Sequence, residues 1–509
     1  MATYIIRRLL LMVPTLIGIS FMIFMLVALS PGGVGAALRV AGGGATEATN
    51  RAVQEAYLED RYGLDDPVIV QYFRWLGRIS PVKFGERDQV LGDGNLISPP
   101  KVVKEPPLWR LFTDSLNATS WSGIGLPNSN ATAEELQLAY RRGQDDYSQK
   151  RATYVARRTQ AMEAVGEYLR ATDQANLVSN KGLPVESELD GWTPDTNNAA
   201  WKPAAESGKT MLAAYYDAVD SRERLAALFR QKPYEQAGVA IIPGVVSIAE
   251  PDLGQSFARQ RPVKALISDA LPLTLMLNMI AFPIVYTIAV PMGMLAATRK
   301  GTLFDTGSGT VFVALWSIPT VWAGVMAIGF LANKEYLGMF PAGGLHDNDA
   351  TRMTYLPTLT DGVWQRGYLI DLLWHIALPI ACMVYGGFAI LSKQTRAAML
   401  DNFSADYVRT AKAKGVDSST IVFAHVFRNS LLPLITMFAT IFPAMFGGSV
   451  IIERIFNIPG MGSLIIEAIV LKDRELIMAN AIIIATVNVL ALLLADLLYA
   501  AADPRVSYS

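Results

Sequence analysis

Soft-metal and redox chemistry are almost absent from this chain. One cysteine, Cys382, stands among 509 residues. A single thiol closes no internal disulfide and gives a metal no second thiolate. The three histidines, His346, His375 and His425, are scattered, so no His/Cys metal spacing exists and no metal ligand is expected. Charge is scarce too. Only 17% of residues are charged, and the net charge is −1. That excludes a global basic field, and nucleic acid is not an expected partner. The chain has no H-E-x-x-H, no Ser/His/Asp pattern and no carboxylate pair in a defined site. No catalytic residue is assigned, and an intramembrane enzyme has no support in the sequence.

Apolar sequence is what the chain has in plenty, at 51% of residues. Six runs approach or exceed the roughly 20 residues that cross a bilayer as helix. They cover about 9–29, 271–297, 310–332, 372–391, 431–452 and 477–500. The first follows Arg7-Arg8. It is too long for a signal h-region and lacks a clean A-x-A site, so it reads as an uncleaved anchor. Lys and Arg bias orients the rest. With Arg7 and Arg8 in the cytoplasm, alternation puts Arg299, Lys300, Lys393, Arg396, Arg409, Lys412, Lys414 and Arg428 there too. The expectation is an all-α membrane protein of six spans with both termini cytoplasmic.

About 240 residues separate the first two runs, none apolar enough to cross. Alternation puts them outside the cytoplasm. Thr132-Ala133-Glu134-Glu135 has the capping-box pattern. A charged helical stretch follows to about 171, with Val155, Met162, Val165 and Leu169 on one face. A second helix is expected over about 210–231, with Leu212, Tyr216, Val219, Leu225, Leu228 and Phe229. Pro- and Gly-rich pieces at 98–107 and 182–194 separate these. The reading is a mostly helical soluble domain over 86–249, after a linking segment at 31–85.

Ser207-Gly208-Lys209-Thr210 suggests a phosphate loop. That loop needs a glycine five residues before Gly208, and Pro203 stands there without an amide hydrogen. A helix start is the better reading. Asp371 and His375 lie four apart at the head of the fourth run and share a helical face. An interfacial polar pair is preferred there over a proton relay. Asp496, in the sixth run, is expected to pair with a basic loop residue. Thr274, Asn278, Ser317, Thr320 and Asn488 are polar positions on apolar spans, and either line a solute path or bond helix to helix. Pro272, Pro283 and Pro291 predict kinks or a late start in the second span.

One segment stands apart: "SADYVRTAKAKGVDSSTIVFAHVFRNSLLPLIT", from Ser404. Residues 402–416 suit a short helix stopped at Gly415. Ala405, Ala411 and Ala413 let another surface approach, and Arg409, Lys412 and Lys414 offer charge on the rim. A second helical piece, 418–429, leads into the fifth span, with Pro433 in its first turns. Such an element suits docking to a soluble partner.

"DYVRTAKAKGV…HVFRNSLLPLIT" resembles the loop signature of ABC-importer permeases, most closely the B-type subunit of the peptide/nickel class. "YIIRRLLLMVPTLIGIS", "YGLDDPVIVQYFRWLG", "DLGQSFARQRPVKALISDALPLTLML", "IFNIPGMGSLIIEAIVLKDRELI" and "DLLYAAADPRV" resemble further family stretches in order. The likeness covers the chain except about 86–249. It implies a type I importer transmembrane fold in a bacterial cytoplasmic membrane, beside a second, related permease. It implies two ATPase subunits that bind ATP and Mg, with no cofactor in this chain, and a solute-binding protein outside. It puts Tyr407, Arg409, Thr410, Ala411, Lys412, Lys414 and Gly415 in the ATPase-contacting segment. The general signature has glutamate where this chain has Arg409 and a shorter glycine-to-Leu-Pro spacing. Both departures are usual for the peptide class. The inserted domain is the larger departure, and contact with the binding protein is its expected role. Peptides or similar small solutes are the expected cargo. The same machinery in other members imports nickel, opines or oligosaccharides, and a membrane receptor or scaffold is the competing class.

Overall fold

Backbone amides cannot be left unpaired in a bilayer, so apolar runs of this length become helices. The structure, a computed structural model, describes all residues except 1, 30–55, 57–58, 62, 64–65, 92–95, 117–130, 180–181, 190, 257, 260, 361–362 and 503–509. Much of the expected linking segment 31–85, and residues 503–506 of the C-terminal family stretch, lie outside the described residues. The chain forms two compact units, 1–24 with 254–509, and 25–253. Helix α1 (Ala2–Leu29) begins in the first.

In the unit 25–253, α2 (Val68–Ile79) follows Pro67 and buries Tyr72 and Trp75. Three short strands come next: β1 (Val82–Phe84), β2 (Gln89–Val90) and β3 (Leu96–Ile97). Two long helices follow, α3 (Ala133–Ala171) and α4 (Trp201–Arg230). The capping box forms at the head of α3: Glu135 N–H donates to Thr132 Oγ1 at 3.3 Å, and Thr132 N–H to Glu135 Oε2 at 2.9 Å. Tyr140 near the start of α3 meets Phe229 at the end of α4, and Tyr168 at its end meets Trp201 at the start of α4. The two helices are therefore antiparallel. Helix α4 starts at Trp201, ahead of the expected 210, because Trp201 and Ala204 add a buried turn against Val165 and Leu169. Ser207–Thr210 lie inside α4 rather than at its start, and Gly208 packs on the Phe112 ring, where a Cβ would come within 2.1 Å.

Strands β4 (Glu235–Gln236), β5 (Val239–Ile242) and β6 (Val246–Ile248) follow α4. They pair with the strands that precede α3. One sheet has the order β1-β6-β5 and the other β3-β2-β4, all antiparallel. Val82 faces Ile248 and Phe84 faces Val246. Ala249 N–H donates to Pro81 O at 2.9 Å, and Asp252 N–H to Arg78 O at 3.0 Å. The last residues of this unit thus run back beside the end of α2 and the start of β1.

In the unit of residues 1–24 and 254–509, a small hairpin of β7 (Gln255–Ser256) and β8 (Arg261–Pro262) precedes α5 (Val263–Thr298). Helix α5 begins ahead of the expected 271 and carries Pro272, Pro283 and Pro291 inside it. Leu277, Ala281, Val285 and Ala289, every fourth residue, form its buried stripe. They pack with Ile380, Val384 and Leu391 of α8 (Gly367–Phe403). The two helices approach closely at Gly293, where an added Cβ would stand 2.5 Å from Ser392 O.

Between them lie α6 (Leu303–Ser317) and α7 (Thr320–Ala332), bent by 85°. The expected span 310–332 is therefore broken at Ile318-Pro319, and its first helix starts earlier, at Leu303. Pro319 offers no amide hydrogen, and Ile318 before it is extended (φ −78°, ψ 117°). A second hairpin, β9 (Thr358–Thr360) with β10 (Val363–Gln365), precedes α8. The chain continues as α9 (Asp406–Ala413), α10 (Ser418–Phe427), α11 (Leu431–Gly447), α12 (Val450–Ile455), α13 (Met461–Val470) and α14 (Arg474–Ala502). Among the described residues, five helical stretches suffice in length and apolarity to cross a membrane, and the bent pair makes a sixth.

Two ion pairs tie these helices. Arg396 on α8 grips Asp305 on α6 at 2.5 and 2.8 Å. Asp496 on α14 pairs with Arg8 on α1 at 3.0 Å, so its partner comes from the first span rather than a loop.

Candidate coupling surface and membrane cavity

Eight residues are too few for an isolated helix to persist in water. Helix α9 is held by what surrounds it. Val408 and Ala411, one turn apart, are buried with Met294 and Ala297 of α5, Met399 of α8, and Ile421 and Val426 of α10. The sequence reading extended this helix back to 402. The structure gives Asn402 and Phe403 to α8 and breaks the chain at Ser404-Ala405, where Ala405 is extended (φ −72°, ψ 148°). A polar knot secures the break: Tyr407 Oη donates to Asn402 Oδ1 at 2.7 Å, and Asn402 Nδ2 to Ser430 Oγ at 3.1 Å.

At the other end Gly415 has φ +75°. Its N–H donates to Lys412 O at 3.0 Å and the Val416 N–H to Ala411 O at 3.2 Å, the two bonds of a Schellman stop. Asp417 then caps α10, accepting from Ser419 N–H at 2.9 Å. Hydrogen bonds from the Ser419 hydroxyl and amide hold the Asp417 carboxyl below its usual range.

Tyr407, Arg409, Thr410, Lys412, Lys414 and Gly415 are exposed. Ala411 is not: it lies in the packed seam. Arg409 stands 3.6 Å from Asp406, with both side chains in solvent. The segment thus offers a rigid, basic outer face over an apolar root. Sequence reasoning marked the rim charges but missed Val408, whose three-residue spacing to Ala411 was the available signal.

The polar span residues separate into three groups. Asn278 and Thr320 line one cavity of about 410 Å³, together with Tyr286, Cys382, Thr440 and Ser449. Its size falls within the usual range for small-molecule sites. Thr274 does not reach it. Its Oγ1 donates to the buried Glu453 at 2.9 Å and accepts from Met461 N–H at 2.8 Å. Ser317 donates to Val313 O and, like Asn488, is exposed on a helix surface.

Glu453, which the sequence reading passed over, is 1% exposed. It also accepts from Ser463 N–H at 2.9 Å, at the start of α13, where amides and helix dipole favour an anion. Gly460 makes room for it, since a Cβ there would lie 2.6 Å from the carboxylate. Thr274 and Glu453 therefore latch α5 to α12 and α13.

Residues 289–508 match the family model described as "Binding-protein-dependent transport system inner membrane component". The chain is 36% identical over 264 residues to the oligopeptide transport system permease protein AppB of Bacillus subtilis (strain 168), covering 52% of this chain and 78% of the relative. It is 32% identical over 269 residues to the di/tripeptide transport system permease protein DppB of Pseudomonas aeruginosa (strain UCBPP-PA14), covering 52% and 79%. Against the peptidoglycan transport system permease protein YejB of Agrobacterium fabrum (strain C58 / ATCC 33970), identity is 31% over 258 residues, covering 50% and 68%.

Proposed function

The chain belongs to the family of inner membrane components of binding-protein-dependent transport systems, and on that premise we propose that it imports peptides or similar small solutes as half of a translocation path, driven by partner ATPases. It is a multi-pass membrane permease. A second, related permease completes the path, and a solute-binding protein delivers the cargo. ATP and Mg are bound by the ATPases, while both termini of this chain lie in the cytoplasm and the domain 86–249 lies outside. The cargo class is supported by the names of the relatives, which are permeases of oligopeptide, di/tripeptide and peptidoglycan transport systems.

The observation that carries the coupling is the build of α9. Its apolar root, Val408 and Ala411, packs on α5, α8 and α10. Its exposed rim bears Arg409, Lys412 and Lys414. A force applied to that rim is passed to packed spans rather than absorbed by a loose loop. Asn278 and Thr320 are the polar groups assigned to the path.

The test is reconstitution with the second permease, ATPases and binding protein in vesicles. ATP-dependent uptake of a labelled dipeptide or oligopeptide is the expected result. A cysteine placed at Arg409 should cross-link to an ATPase subunit, and the buried Cys382 leaves the background low. Tight partner binding without solute flux would sink the transport reading in favour of a receptor or scaffold.

A further inference from the structure

At the head of α8 the side chains of Asp371 and His375 are buried, at 0% and 3% exposure. Two features of this pair are unusual. The His375 Nδ1 lies 2.9 Å from the Asp371 carbonyl oxygen. In that pairing Nδ1 carries the proton and donates, which leaves the Nε2 lone pair directed elsewhere. Nε2 faces Asp347, with Oδ1 at 3.6 Å. A ring nitrogen anchored to a backbone carbonyl while the other is left basic is the usual preparation of a metal-binding histidine.

The second feature is the Asp371 carboxylate. Its Oδ2 accepts from Asp347 N–H at 3.0 Å and lies 3.2 Å from His346 Nδ1. Its Oδ1 is buried and has no hydrogen-bond partner among the described residues. Two basic groups stand near it without bonding it: His375 Nδ1 at 3.4 Å, whose proton already serves the Asp371 carbonyl, and Arg366 at 3.7 Å, from a side chain 46% exposed that also leans over the Trp374 ring. A buried carboxylate oxygen left in this way costs free energy unless something else coordinates it.

One donor atom from each of Asp347, Asp371 and His375 lies within 4.8 Å of the other two. We propose that these three residues bind a divalent cation of the zinc type, pinning the segment before α8 to the head of that helix. One imidazole and two carboxylates suit such an ion. Zinc ligands at roughly 2.0–2.2 Å from the metal stand about 3.3 Å apart in a tetrahedron. Closure therefore needs a shift on the order of an ångström, which the exposed Asp347 can make. The wall behind the segment is fixed: Gly344 N–H donates to Phe456 O at 2.8 Å, and His346 stacks on Tyr368 at 3.9 Å.

Cobalt(II) is the probe, because its visible absorption reports ligand number. The untagged full-length chain in detergent is titrated, and zinc is then added in competition. One saturable equivalent with a four- or five-coordinate spectrum, displaced by zinc, is expected. Asp347→Asn, a change at an exposed side chain, should weaken binding by roughly tenfold or more. His375→Gln should abolish the spectrum, and His425→Gln should leave it unchanged. Absence of a saturable equivalent, or wild-type affinity in Asp347→Asn, overturns the proposal and makes the cluster an ion pair network only. The Asp347 variant keeps the test decisive should His375→Gln fail to fold.

Discussion

Val408 offers a clean way to separate the root of α9 from its rim. The side chain is 0% exposed and sits among residues of α5, α8 and α10. Val408→Ala removes two methyl groups, at about 0.8 kcal/mol each. Incomplete collapse of the space adds to that, for a total of about 2 kcal/mol. Because the helix is too short to stand alone, this falls mainly on the equilibrium between packed and detached α9. A 2 kcal/mol change is a factor of about thirty in that equilibrium. Hydrogen exchange at the amides of 408–416 should accelerate accordingly, with Val416, whose N–H closes the Schellman stop, as the sharpest reporter. ATP-driven uptake by the reconstituted complex should fall in parallel, although no rim residue has changed. Thr410→Ala, on the exposed face, should leave the exchange rates alone. Unaltered exchange and uptake in Val408→Ala would refute the idea that α9 works as a packed lever.

Three further outcomes are expected. Gly415→Ala forces a Cβ into a left-handed residue and should cost about 1 kcal/mol, read as faster exchange at Val416. Excision of residues 85–245 with an Asn-Gly link from Phe84 to Val246 should leave a membrane-inserted, monodisperse protein. Facing Cα atoms in such a ladder stand about 4.5–5.5 Å apart, a gap that a two-residue turn closes. Binding-protein-stimulated ATPase activity should then drop while basal activity persists, and unchanged stimulation would count against a docking role for the domain. Burial raises the Asp88 carboxyl above its ordinary 3.8. The folded state therefore holds a proton that the unfolded chain has already lost, so the contribution of Asp88 is full below pH 3.8 and declines as pH rises through the raised value. Asp88→Asn should raise the melting temperature at pH 7, and this gain should disappear at pH 3.5.

The spans were legible because a bilayer leaves the backbone one local solution, and hydropathy alone finds such runs. Their ends were less so: α5 and α8 continue beyond the apolar runs because Val263, Leu266 and Met399 are buried by neighbouring elements. The break at Pro319 depends on one missing amide hydrogen, which hydropathy does not register. Strands of two to four residues are too short to show a period, so the sheets that close the inserted domain were invisible. Thr274 and Asn278 looked alike as polar span residues. Their difference rests on Glu453, 179 positions away from Thr274 in the chain. Asp371 and His375 were visible as a helical pair, whereas Asp347 reaches them from a loop.

The pairing of β1 with β6 has a mechanical consequence. Both strands leave the inserted domain at the same end of their ladder, Val82 opposite Ile248. Tension between the two attachment points would load this ladder in the peeling direction, one residue pair at a time, instead of shearing all of its bonds together. The boundary of the domain is thus its weakest direction under load. A pull would break the bond from Asp252 to Arg78 first, then that from Ala249 to Pro81, and then open the ladder from Val82, while the α3–α4 hairpin beyond it stayed intact.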